Sequence, residues 1–320
     1  MPHTAHSRRG KRRFDDEEPT FLKRDRHRPA LTPADDETFG LPTGDRWSTW
    51  DQSAPTERGP RPYPRWLVTD LGAVDTELGI LKTGKEADVF LLRREVPETN
   101  RSCLLAAKRY RPAEHRMFQR DSEYLEGRRV RESRVNRAMA ARSATGLAMI
   151  AAQWAAAEFA SLRRFRADGL PVPYPVQLVG TEVLLEFIGE DDGRAAPRLA
   201  DTCPDRRELA ALWGQLVATV SALASLGYAH GDLSAYNLLV HRGQLVMIDM
   251  PQVVDVIANP RGAAFLDRDA ANVARWFTAR GLSGVWPAPA DLPALLRQEA
   301  RLPRSGRELP TSADARPPTW

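Results

Sequence analysis

At 320 residues, with 42% hydrophobic and 28% charged residues and a formal net charge of +4, the chain can bury a substantial core as one large domain or two lobes. The charge is too mildly basic to imply a nucleic-acid partner by itself. Cys103 and Cys203 lack metal-ligand spacing and argue against a disulfide framework. Their usage predicts a reducing cytoplasm, with both as small core residues, and no apolar run approaches the roughly 20 residues of a membrane span, so no membrane partner is expected.

Residues 1–65 are rich in Pro, Arg, Asp and Thr and show no sustained periodicity, which predicts a disordered tail. Its basic run, Arg8-Arg9-Gly10-Lys11-Arg12-Arg13, has no apolar segment behind it and so does not read as a signal peptide. Such a run can touch RNA or another anionic surface, although most are simply solvated.

Ordered patterning begins near Trp66. Leu78–Leu81 and Ala87–Leu92 read as strands flanking the turn Lys82-Thr83-Gly84-Lys85-Glu86, and Leu104–Tyr110 as a third strand. The span Gly79-x-x-x-x-Gly84-Lys85 matches most of a Walker A loop. It departs from that motif at Glu86, where a Ser or Thr should bind Mg²⁺, and in being followed by a strand. A strand–turn–strand of this kind can instead lie over a nucleotide as a flap, its backbone N–H groups turned to the ligand, or be an ordinary hairpin. From Arg111 to Arg142 the chain is arginine-rich, with scattered aromatics such as Phe118 and Tyr124, and reads as a long mobile insertion.

A helix follows: Leu147, Ile150, Ala151, Trp154, Leu162 and Phe165 recur at helical spacing. Glu158 falls on that apolar stripe, where a carboxylate is costly unless paired. The natural partner is Lys108, at the end of a strand otherwise built from Leu and Ala. Val183–Ile188 reads as a strand running into Gly189, Asp191–Pro197 as a polar connector, Arg207–Leu226 as an apolar helix, and Ala263–Phe277 as an amphipathic helix. Residues 303–320 form a Pro-rich, frayed tail.

The most informative stretch is His230-Gly-Asp-Leu-Ser-Ala-Tyr-Asn237 with Met247-Ile-Asp249. Leu238–His241 and Leu245–Ile248 read as short strands joined by Arg242-Gly243-Gln244, which brings Asn237 opposite Ile248 or Asp249. Two hard oxygen ligands at one sheet edge suit Mg²⁺, which takes few protein ligands and leaves the rest to water and phosphate. Asp232, just before the hairpin, can face the same point as a base, the arrangement of a phosphoryl-transfer site. Each residue alone also fits a turn or cap role; their joint spacing, with Lys108 and Glu158 upstream, favours a kinase. His230 reads as a structural residue that hydrogen-bonds the loop.

On these residues the chain resembles the RIO family of atypical serine/threonine protein kinases, from about Leu78 to Phe277. The resemblance rests on Thr83-Gly-Lys-Glu-Ala87, Ala107-Lys108, Trp154 with Glu158 after it, and Glu186-Phe-Ile-Gly189 leading to Ala196-Pro-Arg-Leu199. It continues through the Asp232–Asn237 segment, Ile248-Asp249 with Gln252, and Phe265-Leu-Asp-Arg-Asp-Ala-Ala-Asn-Val273. It implies an α+β, two-lobe kinase-like domain over 66–302: a β-rich N-lobe with one major helix, a hinge at 186–189, a mostly helical C-lobe and no activation segment.

Further implications are ATP and Mg²⁺ as cofactors, with Mn²⁺ as a substitute, and a protein substrate. Thr83, Gly84, Lys85 and Glu86 would lie over the phosphates, Lys108 and Glu158 would orient the nucleotide, and the backbones of Glu186 and Ile188 would hold the adenine. Asp232 would be the catalytic base, Asn237 and Asp249 would hold the metal, and Asp249 could itself accept phosphate. Ala235 and Asp88 depart from the family pattern, where Glu and Asn are usual. Two other functions share these features: a small-molecule phosphotransferase of aminoglycoside-kinase type, and a nucleotide-gated factor that docks on a ribosomal subunit or other RNA particle.

Overall fold

A computed structural model of the chain describes residues 44–111 and 144–302. Of the insertion expected at 111–142 only Arg111 is described, and residues 1–43 with the basic run at 8–13 and the tail at 303–320 fall outside the described residues. The N-lobe is a six-stranded antiparallel sheet in the order β1-β2-β3-β4-β6-β5. Its strands are β1 (Arg46–Trp47), β2 (Val74–Thr83), β3 (Ala87–Glu95), β4 (Ser102–Tyr110), β5 (Pro175–Val179) and β6 (Glu182–Glu186). Period-two alternation divides β4 between the faces. Cys103, Leu105 and Ala107 are buried on one side, which leaves Ala106, Lys108 and Tyr110 on the other.

That second face is covered by α1 (Ala144–Ala167), whose Ala151, Ala155, Phe159, Leu162 and Phe165 pack in one cluster with Tyr110, Val183 and Leu185. The opposite face is covered by the segment before β2. Trp50, Leu67 and Val68 bury themselves against Leu92, Cys103, Leu105 and Leu184.

This corrects the expectation of disorder for 44–65. The segment pairs with the sheet at both edges: Arg46↔Asp75 and Trp47↔Val74 on β2, and Gly59 N–H to Val176 O at 3.0 Å on β5. Buried polar groups tie it down as well. Arg94, fully enclosed, makes two bonds to Asp75 at 2.7 and 3.0 Å and one to Gln177 at 3.1 Å; Gln177 in turn donates to Thr49 and Ser53. Isolated aromatics and paired polar groups hold the strap, so a search for periodicity passes over it. Only glycine fits at 59, since a Cβ there would lie 2.1 Å from Pro175 O.

The C-lobe is mostly helical: α2 (Arg206–Ser225), α3 (Gly262–Ala279) and α4 (Leu292–Glu299). α2 is capped by Asp205, which accepts from Glu208 N–H at 2.8 Å. By length and composition α2 could cross a membrane, yet its Leu209, Leu212, Trp213, Leu216, Val220 and Leu223 are packed in the lobe's core. Two short strands, β7 (Tyr228–Ala229) and β10 (Val254–Asp255), pair across the loop region. The predicted hairpin is β8 (Leu238–His241) and β9 (Gln244–Met247), in register Leu238↔Met247 to His241↔Gln244. Its turn is the two residues Arg242 and Gly243, at φ 51° and 74°, a left-handed pair suited to the twist of a tight hairpin. Cys103 is buried as expected; Cys203 is exposed, contrary to expectation.

Candidate active site

Between the lobes lies a cleft of about 370 Å³. Its apolar slot is formed by Val89, Ala106, Leu185, Phe187, Leu239 and Ile248, and its polar end by Lys82, Lys85, Lys108, Glu158, Arg198 and Asp249. The small side chain of Ala106, two residues before Lys108 on the same face of β4, leaves room for a flat ring beside the charged groups.

Lys108 is the centre of the polar end. Its Nζ donates to Glu158 Oε1 and to Asp249 Oδ1, both at 2.7 Å, joining β4, α1 and the end of the hairpin. Burial disfavours the ammonium, but Glu158 and Asp249 more than compensate and hold its pKa well above the ordinary lysine value. The anomaly on the α1 stripe is thus accounted for: Glu158 is 1% exposed and paired with Lys108. Its carboxylate also accepts from Tyr110 OH at 2.6 Å and from Met250 N–H at 3.3 Å. Burial and the adjacent Glu158 charge push the Tyr110 hydroxyl well above its usual range, so it stays a donor. Tyr110 was not picked out from the sequence, though it shares a strand face with Lys108.

Asp249 lies just past the hairpin at φ 66°, a left-handed conformation that short polar side chains tolerate at a cost of roughly 1–2 kcal/mol. Burial opposes its ionisation, but the Lys108 ammonium overrides this and lowers its pKa, so it is a carboxylate at neutral pH. Ile248 N–H donates to Asn237 O at 3.0 Å, which places Asn237 opposite Ile248, one of the two expected registers. Asn237 is buried, and its Nδ2 donates to Asp232 O at 2.8 Å. That bond uses one of the amide's two N–H groups and fixes its orientation, and the oxygen is the group able to meet a cation. An ionised carboxylate and a neutral amide oxygen form a hard donor set suited to Mg²⁺, with the remaining positions left to water and phosphate.

Asp232 has an exposed side chain on a loop held from behind. His230 is buried; its Nε2 lies 3.0 Å from Ile248 O, while Asp232 N–H points to Nδ1 at 3.4 Å. A single tautomer, protonated on Nε2, satisfies both, and His230 is structural as expected. Asp269 on α3 accepts Gly231 N–H at 2.8 Å and Leu233 N–H at 3.1 Å, gripping the loop on either side of Asp232. Gly231 is at φ 86°, and a Cβ there would lie 2.1 Å from Gln252 O.

The flap turn departs in detail from expectation. Gly84, Lys85 and Glu86 line the cleft, whereas Thr83 is exposed and does not. Gly84 N–H is taken by Ala87 O at 2.9 Å, because the tight turn closes on itself, and is not offered to a ligand. Arg111 staples the turn by donating to Gly84 O at 2.5 Å and to Asp88 at 2.9 Å, which gives the unusual Asp88 a partner. Ala235, the other departure, is buried against the C-lobe core. At the hinge, Glu186 N–H is donated to Tyr174 O at 2.8 Å, and its carboxylate accepts Tyr174 N–H at 2.9 Å. Ile188 lines the cleft, and its N–H has no acceptor among the described residues.

A β-rich lobe and a helical lobe enclosing a buried Lys–Glu pair, with an aspartate and asparagine on the facing hairpin, define a kinase-like phosphoryl-transfer fold. A family model for the RIO domain matches residues 98–287. The chain belongs to the RIO family. It is 33% identical over 216 residues to RIO-type serine/threonine-protein kinase Rio1 of Haloferax volcanii, covering 67% of each chain. It is 29% identical over 238 residues to serine/threonine-protein kinase RIO1 of Saccharomyces cerevisiae, covering 68% of this chain and 46% of that protein. Against the yeast protein, therefore, the match spans less than half the relative's length. A solved structure of the Rio2 kinase-ADP/Mg²⁺-phosphoaspartate complex from Chaetomium thermophilum is similar with a TM-score of 0.46 at 20% identity, covering 68% of this chain and 62% of that one.

Proposed function

We propose that this chain is an ATP- and Mg²⁺-dependent RIO-type serine/threonine protein kinase and ATPase. The observation that carries the reading is Lys108 held at 2.7 Å from both Glu158 and Asp249 at the polar end of an interlobe cleft. An ammonium fixed in that way is aimed at the α- and β-phosphates rather than at solvent. Ile188 N–H supplies a hinge donor for adenine. Mg²⁺ held by Asn237 and Asp249 would supply charge neutralisation on the phosphates. Asp232, exposed but anchored through its backbone, receives the proton of an incoming hydroxyl.

The acceptor is a protein serine, on this chain or another, or the Asp249 carboxylate itself in an ATPase cycle. Two free thiols, one of them exposed, support a cytoplasmic setting. Contact with a ribosomal subunit or other RNA through Arg8, Arg9, Lys11, Arg12 and Arg13 is part of the same proposal, and salt-dependent co-sedimentation tests it. The activity is tested by incubating the full chain with γ-labelled Mg-ATP. Phosphate transfer or release that Asp232→Ala reduces at least a hundredfold supports the reading. No turnover by the wild type, or turnover indifferent to that substitution, rejects it. Rapid phosphorylation of an aminoglycoside without protein labelling would move the assignment to a small-molecule phosphotransferase.

A further inference from the structure

Lys82, Lys85 and Arg198 line the cleft and take no part in the pairings around Lys108, and two of them, Lys82 and Arg198, approach it from opposite lobes. Lys82 reaches the cleft through an irregularity in β2, where the pairing steps from Ile80↔Phe90 to Lys82↔Val89 and leaves Leu81 as an extra residue. A bulge of this kind re-aims the side chains beyond it, and Leu81 and Lys82 both line the cavity. Arg198 comes from the other lobe. The connector that bears it is pinned to the hairpin by Val240 N–H to Pro197 O at 2.9 Å and by the Arg198↔Leu239 bridge. Neither side chain makes an ion pair or side-chain hydrogen bond among the described residues.

Their mutual effect is unfavourable. Burial and then the Arg198 guanidinium lower the Lys82 ammonium from its ordinary pKa; Lys108 adds to this, while Asp249 and Glu86 oppose it without restoring the normal value. Lys85 and Glu86 also line this end, but Glu158 and Asp249 are both engaged by Lys108, so Lys82 and Arg198 have no ion-pair partner among the described residues. Unpaired like charges facing each other across a cleft are a cost that a ligand with clustered negative charge removes.

We propose that Lys82 and Arg198 form a phosphate clamp, one jaw on each lobe, that binds the polyphosphate tail of the nucleotide and bridges the lobes. The clamp rests on the reading of the cleft as an ATP site. It is distinct from the Lys108–Glu158 pair, because Lys108 is already engaged by two carboxylates whereas Lys82 and Arg198 are available to a ligand. Its ligand is a nucleoside di- or triphosphate; a nucleoside without phosphates gains nothing from it.

Isothermal titration of the full chain with Mg-ATP, Mg-ADP and adenosine tests the clamp, using wild type, Lys82→Met and Arg198→Met. Each substitution is expected to weaken ATP and ADP about tenfold, the scale of one charge-assisted contact, and to leave adenosine within about twofold. Lys82→Gln serves as a second variant with its polarity kept, and thermal denaturation without ligand confirms folding, since loss of a repelled cation should not lower the melting temperature. Equal losses for adenosine and ATP, or unchanged ATP affinity in folded variants, overturn the clamp. If the wild type binds neither ATP nor adenosine, the nucleotide-site reading fails first; if it binds ATP and the variants bind it equally well, the clamp alone fails.

Discussion

Replacing Lys108 with methionine removes the cation between two carboxylates while keeping most of the side chain's volume. Glu158, at 1% exposure, is then left with the Tyr110 hydroxyl and Met250 N–H as partners and no positive charge. Its least costly state is the neutral acid. Protonating a carboxyl of ordinary glutamate pKa, about 4.3, at pH 7 costs about 3.7 kcal/mol, from about 1.36 kcal/mol per pH unit. This agrees with the roughly 3–5 kcal/mol lost when one member of a buried ion pair is removed. Asp249, with its side chain 36% exposed, adds little to this cost because solvent screens it.

The same arithmetic sets the pH dependence. In the variant the buried acid holds its proton to higher pH than it does in the unfolded chain. The cost is therefore full at pH 7 and falls by about 1.4 kcal/mol per unit as the pH drops toward about 4.3. The wild-type Asp249 contribution has the opposite linkage. Its depressed pKa gives stability that is present at neutral pH and lost only on acidification below the ordinary carboxylate range. Urea unfolding between pH 5 and 7 separates the two. The expected gap between wild type and Lys108→Met is about 3–4 kcal/mol at pH 7 and about 1 kcal/mol at pH 5. Adding Glu158→Gln should restore most of the loss at pH 7. A pH-independent gap, or a double variant no more stable than Lys108→Met, refutes the reasoning.

Asp269→Asn puts an amide N–H against one of the two loop N–H groups now satisfied by the carboxylate. It should cost about 1–3 kcal/mol and lower turnover at least tenfold while ATP affinity changes less than threefold, as steady-state kinetics and titration would show. Gly59→Ala drives a methyl group to 2.1 Å from Pro175 O. The strap must shift, and the melting temperature should fall by about 2–4 °C for each kcal/mol lost; an unchanged melting temperature would mean that the strap is not anchored as described. Tyr110→Phe removes one donor from the buried Glu158 carboxylate. A stability loss of about 1.5–3 kcal/mol is expected in urea unfolding, since the remaining groups cannot replace that bond.

The hairpin between Asn237 and Asp249 was legible because its signals are local: a Gly-containing turn, short apolar strands and polar residues at the strand ends define a register with little freedom. Glu158 was legible by a different route. A charge on an apolar stripe demands a partner, and Lys108 answered it. The same argument would have found Asp269, which falls among Leu266, Ala270 and Val273 on the buried face of α3, and Tyr110, two residues from Lys108 on one strand face. The strap at 44–65 could not be found in that way, since Trp50 packs against Leu92, Leu105 and Leu184, Arg58 pairs with Gln177 and Gly59 bonds to Val176, all distant in sequence. Nor could Lys82 be aimed from sequence alone, because its direction depends on an irregularity in β2 that only the pairing with β3 reveals.

The proposed activity is transfer of the γ-phosphate of ATP from the interlobe cleft, with Asp249 in its lining and Asp232 exposed on the loop before the hairpin. Phosphorylation-site mapping by mass spectrometry after incubation with Mg-ATP tests it most directly, comparing wild type with Asp232→Asn and Asp249→Asn. Phosphate is expected on serine, or as a hydroxylamine-sensitive acyl phosphate on Asp249, in the wild type, with serine phosphate lost in both variants and acyl phosphate lost in Asp249→Asn. Phosphorylation of the same sites to the same extent in all three proteins would contradict it.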